Sequence, residues 1–173
     1  MDNSFFTFIE QLEALAFFAG FPLMFAFVLV LTGKKQRKPS APVSLLIKSL
    51  PVAYALIGTL FAGLQISNLY PGFSANEIQA FFNGHWSRIW GLSAIIFWIP
   101  HFRRNPYWSL LHSMVFFFLF IKDLSGGNTD IIRNNMKVYT DSLILNVVTL
   151  LSVFVFYILY GRITSADKIK TNN

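Results

Sequence analysis

No cysteine occurs among the 173 residues. Disulfides, thiolate metal sites and cysteine nucleophiles are therefore excluded. Charge is scarce too, at 13% of residues. A soluble domain of this size needs roughly twice that fraction to cover its surface. Acids are the rarer sign, 8 against 14 bases, for a net charge of +6. The bases fall in short clusters between apolar runs, which is a topology signal and not a nucleic-acid groove. H-E-x-x-H, G-x-S-x-G, glycine-rich phosphate loops and D-x-D pairs are all missing. Nothing in the residues asks for a catalytic site, a metal or a cofactor.

What the sequence does have is apolar surface: 54% hydrophobic residues and 20 phenylalanines. That composition suits a hydrocarbon solvent, so we read an all-α integral membrane protein, one domain over residues 1–173. The bacterial inner (plasma) membrane is the expected location. The most informative stretch is 86–124, where two apolar runs flank His101-Phe102-Arg103-Arg104-Asn105-Pro106. It reads as two antiparallel spans joined by a basic turn, with Trp86, Trp90, Trp98 and Trp108 toward the ends of the runs. Amphipathic rings collect at such membrane–water interfaces.

The spacing predicts five transmembrane helices. The first covers about 10–32, where the uncharged run 14–31 is worth about 27 Å of helix, nearly a hydrocarbon thickness. Acids and no base precede it, unlike a secretory signal peptide. Pro22 inside the run predicts a kink, because its missing N–H leaves the Phe18 carbonyl without a donor. A basic linker, 33–42, follows. The second span is expected at 51–69, starting at Pro51 so that Lys48 reaches water; Pro42 is the alternative start. Ser74-Ala75-Asn76-Glu77 is a capping box, predicting a short amphipathic interfacial helix at 74–83. The third and fourth spans are expected at 86–102 and 106–122, an outer loop at 123–138, the fifth span at 140–161 and a tail at 162–173. With the amino terminus outside and the carboxyl terminus in the cytoplasm, ten of the 14 bases lie inside, as positive loops are retained there.

Four polar residues at membrane depth are candidates for a ligand or ion site: Glu13, Gln65, His112 and Asn146. Acids at that depth are costly and commonly have a purpose. Glu13 is read either as a cation or proton entry point or as a clamp to Arg88 or Lys122. His112, with Ser109 and Ser113 on its face, is read as a proton relay or as a hydrogen bond to a neighbouring helix. Ser142, Asn146, Thr149 and Ser152 form a polar stripe on the fifth span, near Gln65 and Asn68 in depth, so an amide cluster or a polar cavity is expected there. On the second span Ala55, Thr59, Gly63 and Ser67 recur every four residues, with Gly58 and Ala62 beside them. Small side chains let helix backbones approach, which marks the row as a packing face.

These readings favour a non-catalytic membrane protein, an accessory or scaffolding subunit of a larger complex. Its expected partners are the lipid bilayer, other membrane subunits or itself, and not nucleic acid. A small transporter or ion-conducting oligomer built around the four polar residues is the alternative. A binder of lipid or another hydrophobic ligand in a phenylalanine-lined cavity is the third.

Overall fold

The computed structural model describes residues 3–33, 41–70, 79, 86–126 and 129–171, and every element among them is helical. Four helices are long and apolar enough to cross a membrane: Gln11–Thr32, Ala41–Leu69, Tyr107–Ser125 and Met136–Ile163. The first is divided into α1 (Asn3–Phe18) and α2 (Phe21–Gly33). The second is α3 (Ala41–Leu69), the third lies in α6 (Tyr107–Gly126) and the fourth in α7 (Thr129–Thr171). The expected interfacial helix at 74–83 lies outside the described residues, Gln79 excepted.

The stretch 86–102, expected as one continuous span, is built from three short pieces. These are α4 (Trp86–Leu92), a 3₁₀ segment (Ser93–Trp98) and α5 (Pro100–Arg103). Pro100 accounts for the second of the two junctions, at Ile99. A proline pushes the residue before it out of the α region, and Ile99 is extended, with φ −67° and ψ 128°. An apolar run hides this because hydropathy does not register a proline.

Other boundaries shift for simpler reasons. Helix α3 begins at Ala41 and carries Pro51 in its interior. The proline forfeits one intrahelical bond, to Ile47, and the packing around it makes that tolerable: Leu50, Pro51, Val52, Ala53 and Tyr54 are all buried. The polar stretch expected as a loop at 123–138 is mostly helical, since α6 runs to Gly126 and α7 starts at Thr129. Polarity there reports contact with water, which does not forbid a helix. For the same reason α7 continues through the expected tail to Thr171.

The core is aromatic. Phe18 stacks on Phe116 with ring centroids 4.8 Å apart and meets Phe61 edge-on. Phe21 packs on Tyr54 and Phe25 on Tyr107. These pairs tie α1 and α2 to α3 and α6, in an antiparallel sense for each neighbour. The stretch 86–98 runs antiparallel to α3 through the same layer. A Cβ added at Gly58 would come within 2.7 Å of Ala94, and one at Gly91 equally close to the Phe61 ring. Tyr54 meets Phe97 farther along. The small residues Gly58 and Ala94 are what allow that approach.

Candidate functional site

The polar residues inside the bundle form three separate clamps. The first closes the break in the first span. At the Ala19–Gly20 turn, with Pro22 second in α2, the chain leaves the helical ladder. The Gly20 amide donates to Ser142 Oγ at 2.9 Å. Asn146 Nδ2 donates to the Phe17 carbonyl at 2.9 Å and to the Ser142 carbonyl at 2.7 Å. Backbone groups freed by the turn are thus received by the polar stripe of α7. Gly20 is required by the closeness of this seam, because an added Cβ would lie 2.5 Å from the Leu143 amide nitrogen. Within the stripe, Ser142, Asn146 and Thr149 are buried while Ser152 faces outward.

The second clamp centres on His112, one face of which stacks on Trp90 (4.7 Å between centroids, 6° between planes). Both ring nitrogens are engaged, Nδ1 with Tyr54 Oη at 2.6 Å and Nε2 with Ser93 Oγ at 2.8 Å. Ser93 Oγ also donates to the Trp90 carbonyl at 2.6 Å. A hydroxyl has one proton, so satisfying that carbonyl requires Ser93 to accept from Nε2–H. Nδ1 is then the acceptor for the Tyr54 hydroxyl. The result is one directed chain, Tyr54 to His112 to Ser93 to Trp90, across α3, α6, the 3₁₀ segment and α4. No lone pair of the imidazole is left over for a metal. Among the described residues no three His, Asp or Glu side chains gather as a metal site. Ser109 and Ser113, expected on the polar face with His112, are buried and donate to carbonyls three residues back in the chain, those of Pro106 and Leu110.

The third clamp lies near the opposite end of the bundle from Arg103 and Arg104. Gln65 Nε2 on α3 donates to Glu13 Oε2 on α1 at 3.0 Å, and Gln11 Nε2 donates to Asp123 Oδ2 on α6 at 2.8 Å. One contact of Glu13 is therefore an amide, that of Gln65. Gln65 and Asn146, expected as one amide cluster, serve different clamps. Each keeps one buried oxygen, Gln65 Oε1 and Asn146 Oδ1, without a hydrogen-bond partner among the described residues.

The four candidates Glu13, Gln65, His112 and Asn146 are thus divided among three places. Clefts among the described residues, of about 360, 420, 460 and 480 Å³, are lined by other residues. Tyr54 and Ser93 were missed by sequence reasoning. A tyrosine in mid-span needs a hydrogen-bond partner when buried, and that was the available signal for Tyr54. The expected packing row of α3 divides as well: Ala55 is buried, but Thr59, Gly63 and Ser67 are exposed. The Thr59 hydroxyl accepts from Trp98 Nε1 at 2.9 Å, whereas a Cβ on Gly63 would meet nothing within 4 Å. Close packing inside the chain uses Gly58 instead, and Ala62 beside it is buried. Comparison with family models, with curated proteins and with solved structures finds no match to this chain.

Proposed function

We propose that this chain is a non-catalytic membrane subunit that holds other membrane helices, as an accessory or scaffolding component of a larger assembly in a bacterial inner membrane. The observation that carries the reading is the outward face of α3 at Gly63. Gly20 and Gly58 sit where a neighbouring element of the same chain fills the space, whereas Gly63 opens onto none among the described residues. Small residues on a lipid-facing surface are the usual seat of a second helix. The clamps support the same reading, since Ser142, Asn146, His112 and Gln65 each make a hydrogen bond that joins helices of this chain.

In this reading the chain crosses five times, with the amino terminus outside. The stretch 86–103 is the third crossing. Its pieces of seven α, six 3₁₀ and four α residues would reach about 29 Å end to end, close to a hydrocarbon thickness. Cysteine placed at Ser125 is expected to label from outside intact cells, and cysteine at Gln36 is not. Labelling of Gln36 from outside would overturn the orientation.

Purification in mild detergent, with identification of what co-purifies, tests the function. The parent chain is expected to retain a membrane-protein partner or a second copy. Gly63→Leu is expected to lose it while unfolding as the parent does, because a Cβ placed there meets nothing within 4 Å among the described residues. Retention of the partner by Gly63→Leu would contradict the reading. So would cation or proton flux by the parent chain in liposomes that is abolished by Glu13→Gln.

A further inference from the structure

The end of the bundle that carries the basic turn holds a cationic cleft of about 360 Å³. Lys48 from α3 and Arg103 and Arg104 from the end of α5 line it with Tyr157 of α7, and no acid lines it among the described residues. A second cleft, about 480 Å³, shares Arg103 and Tyr157 with the first. Its other walls are almost wholly apolar: Val52 and Leu56 on α3, Trp98, and Val153 and Phe156 on α7.

The two clefts form one graded site. On α3, Lys48, Val52 and Leu56 follow one another at single-turn spacing, so the wall passes from cation to hydrocarbon along one helix face. The distance from Lys48 to Leu56 is about 12 Å, most of one leaflet of a hydrocarbon core some 30 Å thick. On α7, Tyr157 and Val153 run alongside in the opposite chain direction, from the basic end inward. Guanidinium groups present several donors in a fork that matches phosphate oxygens. A small inorganic anion would use the first cleft alone. A protein helix would meet three unpaired charges at its headgroup end and needs no such gradient.

We infer that this site binds an anionic phospholipid, its phosphate held by Lys48, Arg103 and Arg104 and one acyl chain laid along Val52, Leu56, Trp98 and Val153. The inference rests on the apolar helices lying in a bilayer and is independent of the partner proposed at Gly63. Trp98 supplies the probe. The purified chain is reconstituted into phosphatidylcholine vesicles containing either phosphatidylglycerol or phosphatidylcholine with brominated acyl chains, which quench nearby indoles.

Quenching of Trp98, taken as the difference between the parent and Trp98→Phe, is the readout. It is expected at a mole fraction of brominated phosphatidylglycerol at least about fivefold below that needed for phosphatidylcholine, the contribution of a single cation near an anionic surface. Lys48→Gln combined with Arg103→Gln and Arg104→Gln is expected to abolish the preference. All three side chains are exposed, and Lys48→Gln alone is expected to reduce the preference if the triple variant fails to fold. Equal quenching by the two lipids, or a preference that survives neutralisation, would overturn the inference. Loss of the preference on adding inorganic phosphate at millimolar concentration would overturn it too, by assigning the cleft to a free anion.

Discussion

Two of the breaks among the described residues have a proline in the first turn of the helix that resumes. Pro22 follows the Ala19–Gly20 turn, and Pro100 follows the extended Ile99. Their surroundings differ. At the first break Ala19 and Phe21 are fully buried, and the freed Gly20 amide and Phe17 carbonyl find partners on α7. At the second, Ile99, Pro100 and His101 are exposed beside Arg103 and Arg104, and the chain repairs itself locally. The Ile99 amide donates to the Ile96 carbonyl at 2.9 Å and the Phe102 amide to the Ile99 carbonyl at 3.1 Å. Backbone polar groups deep in hydrocarbon cannot turn to water, so another helix must bring the partner. Position in the bundle, more than the proline itself, decides how a break is repaired.

The largest effect expected from this contrast comes from Gly20→Val. Its Cβ would lie 2.5 Å from the Leu143 amide nitrogen, and backbone on both sides leaves no flexible side chain to yield. Overpacking of this kind costs about 3 kcal/mol, measured as unfolding in mild detergent titrated with a denaturing one. A loss below about 0.5 kcal/mol, the range of an unremarkable surface change, would mean that α1 and α7 part freely. The second break is expected to tolerate change. Pro100→Ala removes no donor and no buried contact, so it should cost at most about 1 kcal/mol, through greater freedom of the unfolded chain. A cost matching that of Gly20→Val would erase the distinction between the two breaks.

The contrast also explains what could be read in the sequence. Pro22 stood inside an uncharged run, and a missing donor in a membrane helix is visible from residue type alone. The stripe Ser142, Asn146 and Thr149 was visible as a period. Its connection to the break at Gly20 was not, because residue order does not say which helices are neighbours. For the same reason the sequence groups Gln65 with both Glu13 and Asn146, whereas the bundle joins it to Glu13 and puts Asn146 in a different clamp. Pro100 was legible and passed over, since the run around it was judged by hydropathy. The helices on either side of Gly127 and Asn128 were hidden by their polarity, which reflects water at the end of the bundle. In the row on α3, spacing fixed the face shared by Thr59, Gly63 and Ser67 but could not tell a seam inside the chain from an outward surface.

The central claim is that polar residues at depth here act as fasteners whose effect depends on what they reach. Asn146 and Ser152 belong to one stripe of one helix, yet Asn146 reaches the Phe17 carbonyl while exposed Ser152 donates to the Val148 carbonyl of its own helix. Unfolding of Asn146→Ala and Ser152→Ala in the same detergent system tests this directly. Asn146→Ala should lose about 1–2 kcal/mol, because a buried carbonyl is left without its donor, and Ser152→Ala should stay within about 0.5 kcal/mol of the parent. Equal effects of the two substitutions, or a stable Asn146→Ala, would contradict the account.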